Sequence, residues 1–116
     1  MKYVCLIYGD AETLQKTPKD EMAKVGAEFQ EFTSALAKSG RLVAFHGMTG
    51  ANTAATVRVR EGKAMTTDGP FVETKELLGS ILVIEAKDLN DAIQLAAKIP
   101  GARFGGVEVR PTWASQ

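Results

Sequence analysis

The chain has 116 residues, 45% of them hydrophobic, and its 14 basic and 14 acidic side chains cancel. That length suits one domain spanning residues 1–116 with a real core; balanced charge, with no basic cluster interleaved with aromatics, argues against nucleic-acid binding, and apolar runs of strand length argue against a membrane span. A single cysteine, Cys5, can close no internal disulfide, and Met1–Tyr8 lacks the length and cleavage site of a secretory signal, so the expected compartment is the cytoplasm.

Lys2–Tyr8 reads as a first strand, β-branched, aromatic and aliphatic, with Tyr3, Cys5 and Ile7 on one face and Val4, Leu6 and Tyr8 on the other. Asp10–Thr17 is polar and reads as a loop. Thr17-Pro18 has the form of a helix start, with Thr17 as N-cap and Pro18 in the first turn. Met22, Val25, Phe29, Phe32 and Leu36 then recur at steps of three and four, giving one apolar stripe that Ser39-Gly40 closes. Gly26 inside it either permits a close helix-to-sheet approach or has no packing role.

Arg41–Met48 is a second strand, with Val43 and Phe45 on one face and Leu42, Ala44 and His46 on the other. Gly47–Ala55 is a loop of small residues. Thr56–Arg60 alternates, Glu61-Gly62-Lys63 turns and Ala64–Thr67 returns, which makes a hairpin with one polar face. After a turn over Thr74–Leu78, Gly79–Glu85 is apolar on both faces, as a central strand is. Asp88 caps a second helix whose Leu89, Ala92, Ile93 and Ala96 share a side, Pro100-Gly101 ends it, and Gly106–Arg110 is a last strand.

The order is β-α-β, hairpin, β-α-β, an α+β ferredoxin-like split βαβ plan with an inserted β-hairpin. Two helices cover only one face of such a sheet, yet several strands are apolar on both. Packing the open faces of two copies together removes that patch from water, so a homodimer is expected, with the space between the sheets as the natural pocket.

Thr67-Asp68-Gly69-Pro70-Phe71-Val72-Glu73-Thr74-Lys75-Glu76 concentrates the functional side chains. An acid leaves a strand end into a corner shaped by Gly69, free in φ, and Pro70, fixed in φ, with Phe71 as an apolar plug. The DGPF motif here, with the opening Met1-Lys2-Tyr3, Leu6-Ile7-Tyr8-Gly9-Asp10, Thr56–Arg60, Glu73–Glu76, Leu78-Gly79 and the closing Val107–Pro111, resembles the YCII-related family of the dimeric α/β-barrel superfamily. The resemblance covers essentially the whole chain. It implies a bacterial, cytoplasmic dimer in a family where some relatives are small-molecule enzymes and related domains occur beside sigma factors, so a sigma-factor-like protein partner is one expectation.

The resemblance also implies a role for Asp68, since some relatives are thought to use a His–Asp pair for acid–base work. A carboxylate at a pocket edge suits proton transfer; the alternative is that Asp68 caps its own corner by accepting backbone N–H bonds. His46, the sole histidine, is its candidate partner or a structural side chain, and it lies outside the matched blocks. Arg58 and Lys75 can grip an anionic substrate, or belong to a solvated face bridged to Glu73 or Glu76. Glu73 and Glu76 can form a second acid–base pair if their turn is helical, or remain exposed charge. Phe71, with Tyr3, Tyr8, Phe45 and Trp113, can line a pocket or belong to core and dimer contacts. Cys5 reads as an inert buried thiol, and no spacing suggests a metal site or a cofactor.

The sequence thus points to a small-molecule-binding protein or enzyme. Asp68 and His46 are the candidate catalytic groups, and Arg58, Phe71, Glu73 and Lys75 the substrate-binding ones. A regulatory module that binds a metabolite or a protein is the alternative, and a cofactor-independent oxygenase a third reading.

Overall fold

A computed structural model describes residues 1–113. Strand β1 (Lys2–Asp10) occupies the middle of a four-stranded sheet of order β2-β5-β1-β6, with β2 at Leu42–Gly47, β5 at Glu76–Glu85 and β6 at Gly105–Pro111. Every pairing in it is antiparallel. Two helices, α2 (Lys19–Lys38) and α3 (Leu89–Ala96), supply the crossovers. This is the ferredoxin-like α+β plan with the hairpin β3 (Ala55–Arg60) and β4 (Lys63–Asp68) inserted as a separate two-stranded sheet.

One face of the main sheet carries the core. Tyr3, Cys5 and Ile7 of β1 and Leu82 and Ile84 of β5 are buried beside Leu36 of α2 and Ala92, Leu95 and Ala96 of α3. Phe29 and Phe32 lean on that cluster, and the Phe29 ring stacks on Phe45 at 5.7 Å. The α2 stripe is as expected, fading to an exposed Met22 at its start. On α3 the stripe is rotated: Leu95 is buried, while Leu89 and Ile93 are half exposed. Along the opposite sheet face Val4, Leu6, Tyr8, Ile81 and Val83 are only half covered.

Several local readings change. Ala11–Lys16 forms a short helix, α1, because Asp10 caps it, accepting hydrogen bonds from the Glu12 N–H and the Thr13 hydroxyl. The Thr17 hydroxyl is consequently turned back to the Thr13 carbonyl, and α2 starts after Pro18 without a side-chain cap. In β2 the register slips at Val43, so Leu42 and Phe45, opposite Ile84 and Leu82, both reach the core side. Thr74–Leu78 is not all turn: β5 begins at Glu76, and Gly79 is the extra residue of a bulge between the pairs Ile7–Ser80 and Tyr8–Leu78. Pro100–Arg103 adds a short 3-10 turn after α3.

The hairpin turns at Glu61-Gly62, both with positive φ (53° and 76°), the two-residue connection whose twist matches that of its strands. It stands away from the body, and every residue of β4 is exposed. A Cα radius of gyration of 16.0 Å reflects this arm, since a compact chain of this length has about 13 Å. Among the described residues, no helix is long and apolar enough to cross a membrane.

Candidate functional site

The corner after β4 is built by backbone geometry. Gly69 sits at φ 103°, a conformation L-residues rarely adopt, and donates its N–H to the Ala54 carbonyl at 2.7 Å. The Thr56 hydroxyl donates to the Gly69 carbonyl at 2.9 Å, which locks the turn against β3. Asp68 does not cap this corner. Among the described residues its exposed carboxylate accepts no hydrogen bond, so the side chain is free to meet a ligand or solvent.

The corner forms one wall of a cleft of about 650 Å³. Pro70, Phe71 and Val72 face Met48–Ala54 of the β2–β3 connection, and Tyr8, Leu77 and Leu78 close the sheet side. The Met48 N–H, bonded to the Gly79 carbonyl at 2.9 Å, holds the connection beside β5. Thr49, Thr53 and Thr74 line it with their hydroxyls already engaged, Thr49 with Thr53, Thr53 donating to the Gly50 carbonyl and Thr74 to the Glu76 carbonyl, and Glu76 is the one ionisable carboxylate of the lining. A mostly apolar hollow of this volume with a few polar groups suits a small organic molecule.

The candidate residues divide. Phe71 lines the cleft while remaining 69% exposed, and the Arg58 guanidinium lies 4.6 Å over its ring. Arg58 has no carboxylate partner among the described residues, unlike Arg41, Arg103 and Arg110, which pair with Asp91, Glu28 and Glu108. Lys75 lies 3.7 Å from Asp10 rather than bridging to Glu73 or Glu76. The Glu73–Glu76 segment is not helical: Glu76 starts β5 and lines the cleft, and Glu73 is exposed outside it. Asp68 and His46 are both exposed, neither lines the cleft, and no hydrogen bond joins them. By register Asp68 shares a hairpin face with Ala55 and Val57, opposite the Arg58 face, and His46 lies on the open sheet face across from Ile81.

Met48, Thr49, Thr53, Leu77 and Leu78 are lining residues that sequence reasoning did not assign to the site. Tyr8, one of the aromatics expected to line a pocket or to belong to core and dimer contacts, does line the cleft. Among the described residues no cluster of acidic, His or Cys side chains could hold a metal ion.

Fold and cleft together define an α+β protein of ferredoxin-like plan with a small-molecule-sized hollow at one end of its sheet. The YCII-related domain model matches residues 1–115, and the chain belongs to that family. It is 30% identical over 113 residues to an uncharacterised protein of Rhizobium meliloti (strain 1021), covering 96% of this chain and 91% of that one. Its structure is similar, at a TM-score of 0.59 and 15% identity, to 5-chloro-2-hydroxyhydroquinone dehydrochlorinase from Burkholderia phenoliruptrix AC1100 in complex with 2,5-dihydroxybenzoquinone. That match covers 97% of this chain and 93% of the other.

Proposed function

We propose that the protein binds a small cyclic organic molecule in the cleft beneath the Asp68–Phe71 corner and acts on it by proton transfer, working as a homodimer in the cytoplasm. The observation that carries this reading is the cleft itself: about 650 Å³, apolar on most sides, with three threonine hydroxyls and a single carboxylate. The structural neighbour's ligand, 2,5-dihydroxybenzoquinone, is a planar ring with oxygen substituents, a shape this cleft accommodates. Phe71 offers a face for such a ring, and Arg58, stacked behind it without an acid partner, offers its charge to an anionic substituent at the rim.

In a proton transfer or elimination, a carboxylate takes a proton from the substrate. The electron pair left behind forms a new double bond as a leaving group departs with its own pair. Neither Asp68 nor His46 lines the cleft of the single chain, so both act where a second copy brings the open faces together: Asp68, its carboxylate unencumbered by protein donors, as that base, and His46 as its assistant. Lys75 and Glu73 flank the entrance on the same segment.

The test is a calorimetric and thermal-shift screen of small aromatic and quinonoid compounds against wild type, Phe71→Ala and Asp68→Asn. A binder found with wild type loses affinity about tenfold in Phe71→Ala, the worth of one aromatic contact. Turnover, not affinity, falls in Asp68→Asn. Unchanged affinity in Phe71→Ala removes the cleft as the site; full turnover in Asp68→Asn passes the base role to Glu76.

A further inference from the structure

Tyr8 stands between two hollows. The cleft lies on its Leu78 side; on its Gly106 side is a shallower recess of about 520 Å³, lined by Tyr8, Thr74, Lys75, Glu76, Gly106, Val107 and Glu108. The two share Tyr8, Thr74 and Glu76 as a common wall. Register explains the arrangement. Tyr8 is opposite Leu78 on β5 and Gly106 on β6, and the bulge at Gly79 resets β5 at that point. Gly106 leaves open space on the face Tyr8 occupies: a Cβ added there would meet nothing within 4 Å.

The phenol is also uncommitted. The Tyr3 hydroxyl donates to the Met1 sulfur, whereas the half-buried Tyr8 hydroxyl has no protein partner among the described residues. Among the described residues no buried side-chain oxygen or nitrogen lacks a partner, so the Tyr8 oxygen is open to the hollows and within reach of a ligand. The recess has charge of a definite kind. Lys75 lies 3.7 Å from Asp10, and Glu108 lies 3.7 Å from Arg110, which leaves Glu76 as its carboxylate without an ion-pair partner among the described residues.

We propose that the ligand spans Tyr8, with an apolar ring in the cleft and a hydrogen-bond-donating group, an amine or a hydroxyl, in the recess over Gly106, held by the Tyr8 oxygen and the Glu76 carboxylate. This rests on the reading of the cleft as the binding site and adds the chemical class of the ligand's second end. Gly106 is the specificity-determining position, because a branched side chain there occupies space that the glycine leaves open beside Tyr8, and Tyr8 is the positioning contact.

The experiment is an NMR titration of wild type, Gly106→Val and Tyr8→Phe with three ring-bearing probes: phenethylamine, 2-phenylethanol and 3-phenylpropionate. Gly106 lies in a strand without positive φ, so valine there leaves the melting temperature unchanged or higher. Gly106→Val and Tyr8→Phe each weaken the amine and the alcohol at least about fivefold, the scale of one lost hydrogen bond to a charged group or one excluded by a filled recess. Both leave 3-phenylpropionate within about twofold, since its carboxylate is repelled from Glu76 and turns to Arg58. If both variants bind all three probes as wild type does, or weaken all three equally, the spanning mode is wrong while the cleft reading stands. If no probe shifts the Phe71 and Leu78 amides of wild type, both are overturned.

Discussion

Cys5 is the one thiol, wholly buried at the centre of β1, and its burial pushes the pKa from 9.0 to about 11. The thiolate is the reactive form, so folded protein at pH 8 is inert to a disulfide reagent, and labelling proceeds at the rate of unfolding. The sign for stability follows from the raised value. The fold favours the neutral thiol, a contribution fully present below pH 9 and lost as pH rises toward 11. Denaturant midpoints measured across that window fall, and Cys5→Ala flattens the decline; rapid labelling of native protein at pH 8 contradicts the burial. Two glycines separate in the same way by local space. A Cβ at Gly105 would collide with the Tyr8 carbonyl oxygen and lie 2.9 Å from the Gly9 Cα, so Gly105→Ala costs about 3 kcal/mol or more. Around Gly26, inside α2, there is nothing within 4 Å, so Gly26→Ala stabilises by about 1 kcal/mol in the same assay. Sequence alone left Gly26 between a close helix approach and no role, because steric space depends on what the fold brings opposite. The fate of Cys5 was legible, since an apolar strand with no basic neighbour already describes an inert thiol.

At the scale of elements, α3 shows which signals are readable and which are not. Asp88 caps it by accepting the Asp91 N–H at 2.8 Å, as the residue order announces, and Asp88→Ala lowers stability by about 1 kcal/mol in denaturant unfolding. Asp91 then does what no local pattern shows. It accepts the Lys87 N–H and pairs with Arg41 at 2.9 Å, and these contacts, the backbone one first, hold its carboxyl below the usual 3.8. A depressed carboxylate contributes stability above pH 3.8 that is lost as pH falls through the folded value. Thermal melts between pH 5 and 2, the range over which such carboxylates titrate, therefore fall more steeply for wild type than for Asp91→Asn; parallel curves would remove this contact from the account. The same divide runs through the site. The Asp68-Gly69-Pro70 corner could be read because its shape resides in three adjacent residues. The opposite wall, Met48–Ala54, could not, because the Met48 bond to Gly79 crosses between separate strands. Helix α1 was missed because Ala11–Lys16 holds one large apolar residue, Leu14, and no periodicity; its cap, Asp10, was the only cue. The start of β5 was displaced because Gly79 looks like a strand boundary and is in fact a bulge.

At the scale of the molecule, two apolar surfaces lack cover among the described residues: the open sheet face around Val4, Leu6, Ile81 and Val83, and the hairpin face bearing Val57 and Val59, which are 60% and 59% exposed. Two isolated strands are marginal in water, and the Arg58 side of this hairpin already engages Phe71, so the valine side is the one left to bind. Four strands of 9, 6, 10 and 7 residues, spaced about 4.8 Å apart and rising about 3.4 Å per residue, offer roughly 500 Å² on one face. A standard interface takes about 800 Å² from each partner, so the sheet alone falls short and the arm supplies much of the remainder. The protein should therefore sediment at twice its 12.4 kDa chain mass. Leu6→Glu, which places a charge at the centre of the open face, should yield folded monomer with unchanged circular dichroism. Replacing Val57 and Val59 together by aspartate should weaken the dimer at least about tenfold without unfolding the chain, because these side chains leave the monomer core untouched. Wild type that sediments as a monomer at tens of micromolar overturns the pairing. A dimer that survives Leu6→Glu but not the valine substitutions moves the interface from the sheet to the arm.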